Sequence, residues 1–298
     1  MFYCCTKQYF FTKMGHFTAY ATEPFYNATN CLTMNKYLLF ILFFSLAEGS
    51  AAQATFASWT DSTLLLNNGF VQRTIRLPVG KGQFITTAYK PIEGRFLYFT
   101  DSNADFQFEL NGIVYSGRSN WSMQKIEKLF DDKSGNGAAV TIRSEDKKVE
   151  LTSRFLLYPD LPLVRKNMVV KNLSRQTAAL ESVDVEKFNV PDYYATTFSW
   201  ICHDYGRRRS IGPYDGNMQD ALVTVHNSDW QQGIVIGNEA PGIVKHTSVF
   251  WNEPTIVSGL THKDARYPFR KYISAGESFS TPQVFTIVYN NHKDPEKS

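Results

Sequence analysis

The chain has 298 residues, of which 43% are hydrophobic and 20% charged, with a formal net charge of +3. This balance is that of a globular protein and excludes an intrinsically disordered chain. The charges are spread along the sequence without a basic patch, so we expect no nucleic-acid partner. Aromatic residues reach 15%, and such a content favours strands over helices.

A short apolar segment near the N-terminus indicates export. Met34 and Lys36 precede an uncharged run at residues 37–47, and small residues follow up to Ala52. A basic start, an apolar stretch and a small-residue cleavage site, in that order, are typical of a secretory signal peptide. We therefore expect a signal peptide at 34–52, cleavage before Gln53, and an exported protein, periplasmic or secreted, without a membrane anchor after cleavage.

The residues ahead of this segment do not fit a functional signal peptide, which acts at the very N-terminus. We interpret residues 1–33 as a spurious N-terminal extension and expect translation to begin at Met34. The alternative is a genuine cytosolic tail before a membrane anchor. The apolar run at 37–47 disfavours an anchor because a spanning helix needs about 20 apolar residues.

Cysteine usage agrees with this division of the chain. Cys4, Cys5 and Cys31 lie in the extension, which leaves only Cys202 in the remainder. A single cysteine forms neither an internal disulfide nor a cysteine-based zinc site. We expect no cofactor, and we interpret Cys202 as a small buried apolar residue.

Beyond Gln53, short apolar runs alternate with period two and are separated by turn residues. The pair Asn111-Gly112 between two such runs is a strong hairpin signal. The predicted strands cover residues 63–66, 70–77, 106–110, 113–115, 138–143, 149–158, 163–170, 178–188, 221–225, 233–236, 249–257 and 282–289. A short helix is predicted near 122–130, and no strand–helix–strand alternation is present. These features predict one all-β domain at 53–290, a sandwich or a barrel.

Several segments, in the same order, resemble family-36 glycoside hydrolases, the α-galactosidases. They are residues 106–112 (FQFELNG), 154–165 (RFLLYPDLPLVR), 169–173 (VVKNL), 237–242 (GNEAPG) and 284–288 (VFTIV). The resemblance extends over residues 56–290. It implies a large antiparallel two-sheet β-supersandwich, galactose mutarotase-like, which is the N-terminal domain of those enzymes.

The same resemblance implies that catalysis takes place outside this chain. In those enzymes two catalytic aspartates lie on a (β/α)8 barrel after the sandwich, and a barrel takes about 250 residues. Residues 291–298 are then the start of a linker to a missing domain, no catalytic residue can be assigned, and we expect a truncated chain that is inactive alone. The implied partners are a galactoside-like carbohydrate and either the missing barrel or another subunit of a homo-oligomer.

The segment 196–217 has the highest density of polar and aromatic side chains. Flat apolar platforms with a few fixed polar groups are what a sugar site needs. The predicted sugar-binding residues are Trp200, His203, Asp204, Tyr205, Arg208, Tyr214 and Asp215. The alternative is a polar loop whose aromatic residues pack on the edge of the sandwich.

A second class of function stays open, a stand-alone carbohydrate-binding domain or a mutarotase-type sugar epimerase. Such an epimerase uses histidine and glutamate as acid and base, and the candidates are His203, His226, His246 and Glu239. Their spacing has no signature, which favours ordinary structural roles. No His-x-His or His-x3-His pair occurs after Gln53, so we predict no metal site. A purely structural envelope protein is the third alternative.

Overall fold

The computed structural model describes residues 56–95, 97–98, 103–131, 135–189, 195–203, 206–212, 216–218, 222–227, 229–250 and 255–290. The predicted extension, signal peptide and cleavage site therefore lie outside the described residues, as does the predicted linker at 291–298. Within the described ranges, no helix is long and apolar enough to cross a membrane.

The described residues are almost entirely β-strands. In the first part of the chain they are β1 (Ala57–Trp59), β2 (Thr63–Asn67), β3 (Val71–Arg76), β4 (Ile85–Pro91), β5 (Leu97–Tyr98), β6 (Asp105–Leu110), β7 (Ile113–Ser116), β8 (Trp121–Phe130), β9 (Asn136–Ser144), β10 (Val149–Leu157), β11 (Leu163–Asn172) and β12 (Ala178–Asn189). In the second part they are β13 (Ala195–His203), β14 (Gly206–Gly212), β15 (Gly216–Met218), β16 (Leu222–Asn227), β17 (Gln232–Asn238), β18 (Lys245–Phe250), β19 (Thr255–Leu260), β20 (Arg270–Ile273), β21 (Ser278–Ser280) and β22 (Val284–Tyr289). A 3-10 turn, Gly242–Val244, separates β17 from β18.

The strands form three antiparallel sheets. A five-stranded sheet has the order β1-β2-β3-β4-β5. A ten-stranded sheet has the order β14-β13-β16-β17-β22-β11-β10-β9-β8, with β21 also paired to β11. A seven-stranded sheet has the order β15-β18-β19-β12-β6-β7, with β20 also paired to β12. The all-β prediction is confirmed, but the N-terminal strands pair among themselves and add a third sheet to the two expected.

Alternation of buried and accessible residues explains why these segments are strands. Along β11 every second side chain is buried, beginning with Val164, and the same pattern runs through β10. Successive side chains of a strand point to opposite faces, so this period places one face of the pair in the core. The Asn111-Gly112 hairpin is confirmed, because both residues have positive φ, 50° and 77°, as a tight turn between β6 and β7 requires.

Aromatic side chains fill the core beside β6. Phe106 lies 5.8 Å from the ring of Trp121 and 6.2 Å from that of Phe84, measured between ring centroids. Tyr115 stacks on Phe108 at 5.5 Å. Tilted and offset aromatic pairs at these separations stabilise a core beyond the area that they bury.

Four charged side chains meet inside the core and are fully buried. Arg73 in β3 pairs with Glu186 in β12 at 2.6 Å and with Asp105 in β6 at 3.0 Å. Lys166 in β11 donates to both carboxylates, at 2.8 Å to Asp105 and 3.0 Å to Glu186. Two cations balance two anions, which is the condition for keeping such charges away from water. We call these four residues the buried ion network, and it connects all three sheets.

The short helix predicted at 122–130 is wrong, because these residues belong to β8. Met123 and Ile126 are three positions apart, a helix-like spacing, yet they pair with Ile142 and Val140, two positions apart on β9. A β-bulge after Met123 inserts the extra residue. A bulge shifts the period of one strand against its partner, and this shift imitates a helical pattern in the sequence.

Two other predictions differ from the structure. The strand predicted at 249–257 is divided between two paired strands, because β18 ends at Phe250 and β19 begins at Thr255. Apart from β8, the strands that were not predicted are β1, β4, β5, β13, β14, β15, β20 and β21. The pattern of β14 is hidden by its arginines, and an edge strand at the end of a sheet has less need of an apolar sequence.

Candidate functional site

The described residues of the segment predicted to bind sugar lie in the paired strands β13 and β14 and at the start of β15. Trp200 lies in β13, Arg208 lies in β14 opposite Ile201, and His203 ends β13 opposite Gly206. The structure describes only the backbone of these three residues. The other four predicted sugar-binding residues lie outside the described residues: Asp204, Tyr205, Tyr214 and Asp215. Their role in sugar binding stays a prediction, as does the burial of Cys202.

The acid–base candidates are distributed over different parts of the fold. His226 in β16 is buried, with its Nδ1 atom 2.9 Å from the hydroxyl of Tyr289. Glu239 follows β17 and forms an ion pair with Arg165 at 2.8 Å. His246 lies in β18 of the seven-stranded sheet. Among these three residues, His246 is the one that lies close to both a second histidine and a buried carboxylate.

That cluster consists of Asp184, His246 and His262, and it is the candidate site. In the seven-stranded sheet Asp184 pairs with Gly259, which pairs with His246. Residues opposite one another on neighbouring strands have their side chains on the same face. His262 reaches this face from the loop after β19. Asp184 is also opposite Gln107, which alternates with the core residues of β6, so the face is the one turned away from the core.

The distances within the cluster are short. The Nε2 atom of His262 lies 2.7 Å from Oδ1 of Asp184, and the rings of His246 and His262 stack with centroids 4.4 Å apart. One ligand atom from each of the three residues lies within 4.8 Å of the others. Asp184 is fully buried and His246 is 5% exposed. The cluster is therefore compact and mostly shielded from solvent.

Local backbone features bring these side chains together. The pairing of β12 is irregular between Asp184 and Glu186, where a β-bulge interrupts the register. Opposite the bulge, a Cβ atom on Gly259 would lie 2.0 Å from the carbonyl oxygen of Val183. Only glycine fits so close an approach, and its missing side chain leaves the space between His246 and Asp184 open.

The electrostatic environment shifts the pKa values of His246 and His262 in opposite directions. Burial, with a smaller contribution from the neighbouring His262, lowers the pKa of His246 to about 4. Burial acts in the same direction on His262, but the hydrogen bond to Asp184 and the charge of that carboxylate outweigh it and raise the pKa of His262. At neutral pH His246 is therefore uncharged.

A polar cleft of about 450 Å³ lies beside the cluster. Lys187 joins the two features, since its Nζ atom donates to Gln107 at 3.0 Å and lies 3.9 Å from Oδ2 of Asp184. The cleft is lined by Gln83, Ala104, Gln107, Ser116, Arg118, Ser119, Lys187, Asn189 and Thr255. These lining residues offer hydrogen bonds and positive charge but no aromatic platform, so they provide only part of what a sugar site needs.

Sequence patterns could not reveal this cluster. Asp184 and His262 are 78 positions apart, and the spacing of the two histidines matches no short metal motif. The informative signal would have been the pairing of β18 with β19, which places His246 opposite Gly259. The prediction of no metal site rested on local spacing, and local spacing does not detect ligands from three separate segments.

The chain matches no family model and no curated protein sequence. Its fold is similar to that of solved α-galactosidases. The galactosidase domain of the α-galactosidase–sucrose kinase AgaSK matches 79% of this chain with a TM-score of 0.63 at 9% identity. The family-36 α-galactosidase AgaB from Geobacillus stearothermophilus matches 78% with a TM-score of 0.58 at 13% identity. An α-galactosidase from Lactobacillus brevis matches 81% with a TM-score of 0.56 at 12% identity.

These matches cover only part of the known structures. The chain spans 42%, 41% and 40% of the three proteins, in the same order, which is about two fifths of their length. At such low identity the comparison establishes fold and not activity. It confirms the resemblance inferred from the sequence motifs: the chain has the β-sandwich fold found within family-36 α-galactosidases.

Proposed function

We propose that this chain is a non-catalytic sandwich domain of an exported α-galactosidase-like glycoside hydrolase. The observation that supports this role is the similarity of fold, which extends over 79% of the chain and two fifths of the related proteins. The ordered motifs of the sequence point to the same family. The signal peptide expected at 34–52 supports export, and the galactoside-like ligand is proposed by analogy with the same enzymes.

In this role the sandwich supports a catalytic barrel and contributes to the wall of its substrate site. The catalytic aspartates are supplied by the barrel, so the described residues need no acid–base pair of their own. The observed environments of His226 and Glu239, each engaged with a neighbouring side chain, are compatible with this division of labour.

A combined genetic and enzymatic experiment tests the proposal. The transcript is read beyond the codon for Ser298, and the purified chain is assayed with an aryl α-galactoside. We expect a continuing or frameshifted reading frame that encodes strand–helix repeats, no hydrolysis by this chain, and hydrolysis by the combined protein. Hydrolysis by the chain alone would contradict a non-catalytic role, and an unrelated downstream sequence would contradict the association with a barrel.

Sugar contact at the β13–β14 pair is tested separately. Trp200→Ala is compared with Tyr272→Ala, which removes an aromatic residue that is 62% exposed in β20 of a different sheet. If Trp200 stacks on sugar, only the first variant lowers galactoside affinity, by roughly tenfold for a lost stacking platform. Equal affinities would remove segment 196–217 from the site.

The second candidate function is a stand-alone sugar-binding or mutarotase-type domain, which is favoured by the polar cleft that Lys187 connects to the cluster of Asp184, His246 and His262. It predicts that this chain binds free galactose and accelerates the mutarotation of galactose, which polarimetry measures. His246→Ala would then abolish the acceleration. If the chain neither accelerates mutarotation nor hydrolyses the aryl α-galactoside, the non-catalytic role is the better account.

A further inference from the structure

The Asp184–His246–His262 cluster has the composition of a metal-ligand set. We propose that these three residues bind one divalent transition-metal ion of the zinc type. Imidazole nitrogen with carboxylate oxygen suits Zn²⁺ and its neighbours in the first transition row. Ca²⁺ and Mg²⁺ instead require mostly oxygen ligands. The inference is independent of the proposed glycosidase role, because it is argued only from side chains on one face of the seven-stranded sheet and not from the similarity to α-galactosidases.

The geometry needs only small side-chain movements to accept an ion. The three ligand atoms lie within 4.8 Å of one another, and metal–ligand bonds of about 2.0–2.2 Å place the ligand atoms of a zinc site roughly 3.3–3.6 Å apart. The ion would replace the proton now shared between His262 and Asp184, and that proton would be released to solvent. A three-residue set leaves a fourth position for a water molecule.

A second observation comes from the unused oxygen of the carboxylate. Oδ2 of Asp184 is buried and accepts no hydrogen bond from any described residue. Lys187 is near, but at 3.9 Å its ammonium group is beyond hydrogen-bond distance. A buried carboxylate oxygen without a hydrogen bond is unfavourable, and a cation bound at this carboxylate would offset that cost.

Lys187 is also the group that most opposes a bound cation, and this opposition makes the proposal sharply testable. Its side chain is 23% exposed and is held by Gln107. Replacing it with methionine removes a positive charge close to the proposed ligand while keeping an unbranched side chain of similar length. A metal site therefore predicts that Lys187→Met binds Zn²⁺ more tightly, whereas an ordinary His262–Asp184 ion pair predicts no binding in either protein.

The experiment is a titration of the full chain with Zn²⁺ by calorimetry, accompanied by thermal unfolding. We expect one ion per chain at the site and a rise in Tm of roughly 5 °C at about a hundredfold excess over Kd. Asp184→Asn and His262→Gln should weaken the site at least about tenfold, and Lys187→Met should strengthen it. His226→Asn is the matched control, because it alters a buried histidine in the ten-stranded sheet and should leave affinity unchanged.

The variants separate this site from other metal-binding groups. The full chain also carries Cys4, Cys5 and Cys31, and zinc held by these thiols would not respond to the substitutions. If affinity is the same in Asp184→Asn and His262→Gln as in the unaltered chain, or if no zinc binds, the proposal is overturned. Should Asp184→Asn fail to fold by circular dichroism, His262→Gln decides, since the His262 side chain is 34% exposed.

Discussion

At the scale of single residues, the buried ion network determines how the protein responds to loss of one charge. Lys166→Met leaves the carboxylates of Asp105 and Glu186 with a single cation between them. Breaking a buried ion pair on one side costs about 3–5 kcal/mol, so we expect a fall of that size in the free energy of unfolding in urea. Lys171→Met is the control, because Lys171 lies on the same strand with its side chain 44% exposed.

The control should change stability by less than about 0.5 kcal/mol, as is usual for exposed positions. Equal effects of the two substitutions would mean that Lys166 is solvated rather than buried. Replacement of all four charged members by apolar residues of similar size should recover part of the loss, since a well-packed apolar core does not need the charges.

The same network predicts sensitivity to acid. Burial by itself would raise the pKa of Asp105, but Lys166 and Arg73 beside it lower the pKa to about 2, below the value of about 3.9 expected in the unfolded chain. A carboxyl group with a lowered pKa stabilises the fold above the unfolded value, and its contribution disappears as the pH falls from about 4 towards 2. The loss amounts to roughly 2–3 kcal/mol for Asp105.

Urea unfolding between pH 6 and pH 2 measures this effect. The unaltered chain should lose stability faster than Asp105→Asn, whose amide does not titrate, although the variant starts from a lower stability. Parallel profiles for the two proteins would show that other carboxyl groups are responsible. A chemical-shift titration of the Asp105 carboxyl carbon gives the same information without substitution.

At the scale of elements, two glycines are needed for different reasons, one for its backbone conformation and the other for the close packing of neighbouring strands. In β9, between β8 and β10, a Cβ on Gly137 would lie 2.1 Å from the carbonyl oxygen of Phe155. In the β6–β7 turn, Gly112 has a φ of 77° but nothing within 4 Å of an added Cβ. We expect Gly137→Ala to cost about 2–3 kcal/mol through displacement of the sheet and Gly112→Ala about 1 kcal/mol through conformation alone.

Thermal unfolding compares the two variants, and amide exchange localises the effect. Gly137→Ala should increase exchange along β8, β9 and β10, whereas Gly112→Ala should affect only the turn. A cost for Gly112→Ala equal to that for Gly137→Ala would refute the assignment of the larger effect to close strand packing.

Element-scale prediction from sequence succeeded where a strand repeats with an undisturbed period of two. Strands β10 and β11 alternate along their whole length, and the Asn111-Gly112 turn has the backbone that its residue types favour. It failed at β8, where the bulge gives a three-residue spacing. The periodicity of a sequence reflects one strand alone, whereas a bulge is defined by how that strand pairs with its partner.

At the scale of the whole molecule, the ion network makes the three sheets interdependent. Its members come from β3, β6, β11 and β12, so no sheet can separate without exposing or breaking a buried pair. We expect amides of β3, β6 and β11 to exchange through one global opening with the same maximal protection. Early exchange of the five-stranded sheet alone would contradict this cooperativity.

The sequence by itself determined the all-β class, most strand positions and the resemblance to α-galactosidases, because alternation and turn chemistry are properties of short segments. Only the tertiary structure decided the third sheet, the buried ion network and the cluster of Asp184 with His246 and His262. These features depend on pairing between strands far apart in the chain. A histidine has the same local sequence whether it faces solvent or a buried carboxylate, and only the packed sheet brings the two together.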